Sequence, residues 1–475
     1  MQRVYSFFSY NKSFSIEKVI LPMKTPLTRS LAVVVPFILL HAQPAAAIEL
    51  KDAVEKTIIN SPEVRLKLHQ FHQTQSEQDL GRAGFLPSAD ISYSHGRETR
   101  EQQQWGRNGK SGIPRWGWSL NLTQNLFNGY QTVYNDKRLG HSQRASYYRF
   151  LDMSEQQALE AGRSYLDVLR YRLLVERAQA NFASHQEIYR QIEQKVGAGV
   201  GRRVDLEQAN GRLALAEANL LTEKTNLHDV MSRYIRIVGE APPALLAPPA
   251  SFAAVLPDGV DGLASLLANS PGPLAAREMV RGARYGVDAR RGAFMPAIDL
   301  RARQDWGRGG EQMGAGQYTR SVVEVVTTFN LSRGGADRAR LKLARHELDA
   351  ALDEQDKACR DTRQTLHIAY NDARRQQEKI AYLRQHALST EKVREAYRKQ
   401  FDIGQRSLLD LLDSENELFD SQRAQVNGET DLALAQLRVA AASGTLLAHL
   451  KLKPVEAALA GDSATGEAPC GKAVS

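Results

Sequence analysis

Cysteine is almost missing: the 475 residues hold only Cys359 and Cys470. Two are too few for a disulfide framework, and they do not make a zinc site. Lying so far apart in sequence, they fit an oxidising compartment in which free thiols are avoided. Long apolar runs are missing as well. No stretch of 18 or more apolar residues occurs, and mean hydropathy is −0.42, which excludes an α-helical membrane protein. A β-barrel stays open, because its strands leave a much weaker hydropathy signal. A concentrated charge of one sign is the third absence. The net +8 is spread thinly, and residues 1–47, with five Lys/Arg against Glu17, carry half of it. Without a basic cluster no nucleic-acid partner is expected. Gross disorder is excluded by 42% hydrophobic and 24% charged residues.

The first 47 residues read as a signal peptide. Lys24 and Arg29 precede the apolar run Leu31–Leu40, and Ala45-Ala46-Ala47 supplies a small-residue cleavage site. Translation starting at Met23 in place of Met1 gives a tidier signal. No cysteine stands near the cleavage site, so a lipoprotein anchor is not indicated. The mature chain is expected to begin near Ile48 and to act outside the cytoplasm of a bacterium.

The mature chain is duplicated. Asn60-Ser61-Pro62 recurs as Asn269-Ser270-Pro271, and Phe85-Leu86-Pro87 as Phe294-Met295-Pro296, with Asp90 matching Asp299. Further on Gly129 pairs with Gly334, Gly199 with Gly404, Asp205 with Asp410 and Gly239 with Gly444, at an offset four residues shorter. One deletion after Asp90 explains both offsets. The units run over 48–239 and 260–450, joined by a Pro/Ala-rich linker at 240–259, and 451–475 reads as a flexible tail.

Each unit has one layout. A helix over 49–83 is stopped by Phe85-Leu86-Pro87, since proline cannot continue a helix. Alternating residues then predict strands at 89–95 and 116–126, with a polar loop over 96–114 between them. Ala89, Ile91, Tyr93, Trp116, Trp118, Leu120 and Leu122 fall on one face; Asp90, Ser92, Ser94, Ser119, Asn121 and Thr123 fall on the other. The tryptophans stand at a strand end, as in an interfacial girdle. The second unit predicts strands at 297–305 and 320–330. A helical pattern without proline then runs to Val196, about 100 Å at 1.5 Å per residue. A glycine-rich turn follows, then a helix over 205–238. Leu206, Leu213, Leu220 and Leu227, with Ala209, Ala216 and Val230, make a coiled-coil seam on that helix. The second unit repeats this with a long helix over 335–402 and short ones over 260–293 and 408–445. The two short helices together match the long one in length, so they can stack end to end along it. The fold class is therefore mainly α with a β-barrel part. Four strands cannot close a barrel alone, so several chains must combine. Three chains supply twelve strands and are favoured over two.

This arrangement resembles the TolC family of outer-membrane channel-tunnels. The resemblance covers the whole mature chain. It rests on Phe85-Leu86-Pro87, on Asn125-Leu126-Phe127-Asn128-Gly129, and on the two turns Val196–Asp205 and Phe401–Asp413. It implies a homotrimer with a barrel in outer-membrane lipid and an α-helical tunnel in the periplasm. It also implies a periplasmic adaptor (membrane fusion) protein and an inner-membrane ABC transporter or other pump as partners. The wording of the repeat is nearer the type I secretion branch; small-molecule efflux is the alternative. Within the resemblance, Gly199 and Gly404 form the tip turns, and Arg406, Asp410 and Asp413 match constriction residues of the periplasmic entrance. Asp205 matches the partner acid of the first copy. Phe401 stands where the family often has tyrosine, so one closing hydrogen bond is missing. Pro87 and Pro296 mark the helix-to-strand transitions.

Other chemistries fail on the residues. Gly197, Gly199 and Gly201 are not followed by the lysine–hydroxyl pair of a phosphate loop. His346-Glu347 lacks the second histidine of a zinc helix, and no serine sits on a strand–turn–helix elbow. No enzyme activity, metal or cofactor is expected. A periplasmic coiled-coil scaffold or adaptor competes with a transport conduit, and the alternating strands with Trp116 and Trp118 favour the conduit.

Overall fold

The Asn-Ser-Pro motif splits what the sequence presented as one helix. In the computed structural model, α1 (Leu50–Asn60) ends before Ser61, and α2 (Pro62–Ala83) starts on the proline. Ser61 caps α2 by accepting from the Val64 N–H at 3.3 Å, and proline at the first helical position has no N–H to lose. The second copy breaks likewise into α5 (Gly259–Asn269) and α6 (Pro271–Gly292). The described residues are 48–104, 107–248, 252, 256, 259–310, 314–453 and 470. The expected signal peptide and most of the expected tail lie outside them, as does part of the linker. Among the described residues no helix is long and apolar enough to cross a membrane.

The long helices are α3 (Gln131–Gly197) and α7 (Ala336–Asp402), each of 67 residues. The lower short ones are α4 (Arg203–Val238) and α8 (Leu408–Ala442), and α9 (Leu446–His449) is a single turn. In the half beside the strands the helices lie in the order α2, α3, α6, α7; in the half beside the turns the order is α4, α3, α8, α7. The expected end-to-end stacking is therefore present. Ala209, Ala216, Leu220 and Val230 of the predicted seam are buried, and its other leucines are half-buried.

The largest core forms where the stacked helices abut. Leu50 and Val54 of α1, Tyr165 of α3, Tyr234 of α4, Leu366 of α7, Leu437 of α8 and Leu446 of α9 meet there. Full burial of one such side chain contributes about 1.5–3 kcal/mol. The Tyr165 hydroxyl donates to the Ile48 carbonyl at 2.8 Å and lies 2.5 Å from that of Ala247, fastening the first described residues to the segment after α4. Cys359 and Cys470 form a disulfide, which anchors Cys470 to α7 inside the stretch read as a flexible tail.

The strands are longer than the alternation suggested. β1 (Ser88–Gln104) and β2 (Arg107–Phe127) extend through most of the predicted 96–114 loop, and β3 (Ala297–Gly310) and β4 (Gly314–Thr328) likewise outrun their apolar segments. Hairpin ladders continue through polar residues because pairing needs only the backbone. The four strands form one antiparallel sheet in the order β1-β2-β3-β4, so β1 and β4 are its open edges.

Candidate functional site

Two regions carry unusual surfaces, the sheet and the helical tips. Pairing of Ile91 with Leu120, Tyr93 with Trp118, Trp118 with Trp306 and Leu122 with Ala302 puts the apolar residues on one face. Ile91 is 69% and Val323 75% exposed. Gln304, Ser321 and Thr319 are the polar exceptions in those rows. Tyr93 and Trp118 pack with ring centroids 4.7 Å apart and planes tilted by 40°, and Trp118 pairs with Trp306, making an aromatic row where the apolar band stops. From Trp118 to Phe127 the chain rises about 30 Å, close to a 25 Å apolar band once the strand is tilted. The opposite face is polar apart from Val322 and Val326 on β4, and it is internally bonded. Ser119 lies 2.5 Å from Asp305, Arg303 reaches Asp305 at 2.8 Å, and Asn125 donates to Asp299 at 2.9 Å. An exposed apolar face of this size does not belong in water.

The sheet meets the helices at Pro87 and Pro296, each directly before its strand. At the far end, each hairpin turns on a glycine with positive φ, Gly199 at +75° and Gly404 at +74°. A Cβ at either position would meet no atom within 4 Å, so the need for glycine is torsional. In the first turn the Val200 and Gly201 N–H groups donate to the Lys195 carbonyl; in the second, Gln405 N–H donates to that of Gln400. Ser407 caps α8 through the Asp410 N–H at 3.1 Å and donates its hydroxyl to the Asp410 carboxylate at 2.8 Å.

Phe401 packs with Ile188 and Ile192 of α3, Ala209 of α4 and Leu408, Leu411 and Leu412 of α8. The Lys195 ammonium sits 4.9 Å from its ring centre. This cluster joins the two hairpins at their tips. Arg406 stays within its own hairpin. Its Nε donates to Gln400 at 3.0 Å, its guanidinium lies over the Tyr397 ring at 4.1 Å, and it approaches Asp410 at 3.9 Å. Asp413 points instead at the first repeat, where Arg212 of α4 meets it at 2.5 Å. No ion pair joins Asp205, in the first turn of α4, to Arg406 within the chain. The structure thus brings Arg406 to Asp410 and leaves Asp205 apart from them.

Sequence reasoning missed Arg212, Lys195 and Tyr397. A signal existed for Arg212, which follows Asp205 by one heptad and so shares its helix face. It also missed a buried polar group further from the tips. His185, fully buried, faces the Asn416 side-chain oxygen at 3.2 Å, and Asn181 donates to the Glu415 carbonyl at 3.4 Å. Arg394 and Arg398 approach the Glu415 carboxylate at 3.9 and 4.0 Å. Burial holds the His185 pKa below its usual value against the charge of Glu415. A cleft of about 480 Å³ opens beside this group, lined by Arg177, Glu391 and Gln422 among others.

The model of the outer membrane efflux protein family matches residues 53–239 and 262–445. The chain belongs to that family, the family of TolC. The two matched segments are the two repeats, and outer membrane efflux protein family members are channel proteins of the outer membrane. The chain is 26% identical to the outer membrane efflux protein BepC of Brucella suis, over 88% of this chain and 90% of that one. It is also 26% identical to the alkaline protease secretion protein AprF of Pseudomonas aeruginosa, over 86% and 87%. Its fold matches the outer-membrane channel CmeC of Campylobacter jejuni with a TM-score of 0.74 at 16% identity, covering 84% of this chain and 86% of CmeC.

Proposed function

We propose that three copies of this chain form an exit duct, with a twelve-stranded barrel in the outer membrane and a helical tunnel below it. The observation that carries this is the open-edged sheet with one apolar and one polar face. Turned outward, the apolar face meets lipid, and the polar face lines a lumen. Unpaired β1 and β4 edges are untenable in lipid and find partners only in neighbouring copies. The helical layer matches this: Leu215 and Leu221 on α4 and Leu343 and Tyr382 on α7 are exposed, along the two edges that neighbouring copies would cover. The tips of α3/α4 and α7/α8 then surround the periplasmic entrance, with Asp205, Phe401, Arg406, Asp410 and Asp413 at its constriction.

The duct serves type I secretion, working with a periplasmic adaptor and an inner-membrane ABC transporter. Likeness to a protease secretion protein along nearly the whole chain supports this. Equal identity to an efflux protein keeps small-molecule export as the second reading. Deleting the gene in its own host separates them. Loss of a large protein from the culture medium, with unchanged susceptibility to dyes and detergents, is the expected result. Unchanged secretion with a clear gain in susceptibility overturns it in favour of efflux.

A further inference from the structure

Asp410 and Asp413 of the second-repeat tip each face an arginine, and the two arginines come from different places. Asp410 faces Arg406, four residues away on the same turn, at 3.9 Å. Asp413 faces Arg212 on α4, 201 residues away, at 2.5 Å. The Asp413 side chain is 55% exposed and that of Arg212 34%, so both border solvent. Two carboxylates are thus matched by two guanidiniums in this arrangement, and the acidic pair is not bare. The second-repeat counterpart of Arg212 is Glu417, so the basic partner belongs to the first repeat alone.

The two bridges respond differently to movement. Arg406 and Asp410 lie in one turn and travel together. Arg212 and Asp413 sit on separate hairpins, α3/α4 and α7/α8, so parting the hairpins breaks their bridge. Apart from the apolar cluster around Phe401, the next α4–α8 ion pair is Arg423 with the buried Glu223 at 3.1 Å. It lies ten residues along α8 from Asp413, about 15 Å further from the tip, and can hold while the tip parts. Resting on the duct reading above, we infer that Arg212 is a latch and a charge mask: it holds the two hairpins together at the entrance and covers Asp413, so that opening adds one negative charge per chain to the passage. Opening would then strengthen the entrance's attraction for cations, because like charges in a narrow passage focus the potential.

The test compares wild type, Arg212→Gln, Asp413→Asn and the double variant in planar bilayers, with hexamminecobalt(III) added on the side of the helical tips. Both single variants break the same bridge, so both should raise conductance, and the double variant should rise no further. An exposed bridge of this kind changes the closed-to-open ratio by about two- to fivefold. The block should move in opposite directions. Arg212→Gln bares Asp413 and lowers the half-blocking concentration by about two- to fivefold, whereas Asp413→Asn raises it. Arg212→Lys keeps the charge and should block like wild type. Block shifting the same way in both single variants overturns the mask. Unchanged conductance and block in Arg212→Gln, with normal trimer yield, makes Arg212 a surface charge and overturns both roles while leaving the duct intact. A wild type without channels overturns the duct and the inference together. If Arg212→Gln assembles poorly, Asp413→Asn against Asp413→Glu reads the same bridge: block weakened in the first alone supports it, and equal block overturns it.

Discussion

Glu155 on α3 is buried in the main core, where its carboxylate oxygens accept the Leu446 and Leu447 N–H groups at 3.0 and 3.4 Å. Burial outweighs those two hydrogen bonds and pushes its pKa up to about 8. Between the ordinary value of 4.5 and about 8 the folded chain holds a proton that the unfolded chain has released. The linked stability is fully present below the lower value and is lost as pH rises through the upper one. The loss is on the order of 5 kcal/mol. Thermal unfolding in detergent should therefore show a lower melting temperature at pH 9 than at pH 5, and Glu155→Gln should flatten that fall. An equal fall in the variant would assign the pH dependence to other groups. Glu278 is shifted the other way. Burial opposes its ionisation, but the hydrogen bond and charge of His141 at 2.8 Å, with Arg281 and Arg277, hold its carboxyl below the usual range. Both residues look alike in sequence, as glutamates on helices. Arg277 and Arg281 flank Glu278 in sequence, but the contacts that separate the two most, His141 for Glu278 and the Leu446 and Leu447 N–H groups for Glu155, come from more than a hundred residues away.

The repeated glycines show how two copies of one element acquire different constraints. Gly129 (φ +68°) and Gly334 (φ +62°) are counterparts before the two long helices. A Cβ on Gly129 would stand 2.2 Å from the Gly292 carbonyl oxygen, where the turn crosses the end of α6, whereas one on Gly334 would meet nothing within 4 Å. Gly334→Ala should cost torsional strain alone, about 1–2 kcal/mol. Gly129→Ala adds a backbone clash that no side-chain rotation relieves, and should cost at least about 2 kcal/mol more. Denaturant unfolding of the two variants reads the difference directly, and equal losses would mean that the crossing of Gly129 with Gly292 relaxes freely. The repeat was legible as matching residues at two offsets. The asymmetry was not, because it comes from which helix lies against each turn. The four-residue difference between copies falls between Asp90 and Gly129, in the strand hairpin, where extra length alters the projecting end and leaves the helices in register.

For the molecule as a whole, the open strand edges and the exposed apolar side chains on the outermost helices ask for the same thing, lateral partners on both sides. Native mass spectrometry of the detergent-extracted protein should give three chains. A stable, conducting monomer would overturn the barrel. The disulfide between Cys359 and Cys470 closes a separation of 111 residues, and chain-entropy reasoning credits a loop of that length with about 5 kcal/mol, of which about 2–4 kcal/mol is typically realised. Reduction should lower the melting temperature without changing that mass. Two cysteines in an exported chain were a sign of an oxidising compartment; that they meet depends on the tail returning to α7.

Periodicity and punctuation carried the architecture. Proline-free stretches allow 67-residue helices, and alternation at period two needs a sheet with unlike faces. These are short-range rules, and one chain suffices to read them. Asn-Ser-Pro was legible only as a mark of the repeat, and the helix break it makes came from the structure. The hairpin length escaped those rules because pairing continues through polar residues on backbone bonds alone. The pairing of Asp413 escaped for a different reason. Arg406 could be assigned from local spacing, four residues from Asp410, whereas the pairing of Arg212 with Asp413 exists only because the first repeat's lower helix packs beside the second's. Long-range charge pairing is set by packing, and the pattern of one helix does not contain the identity of the helix beside it.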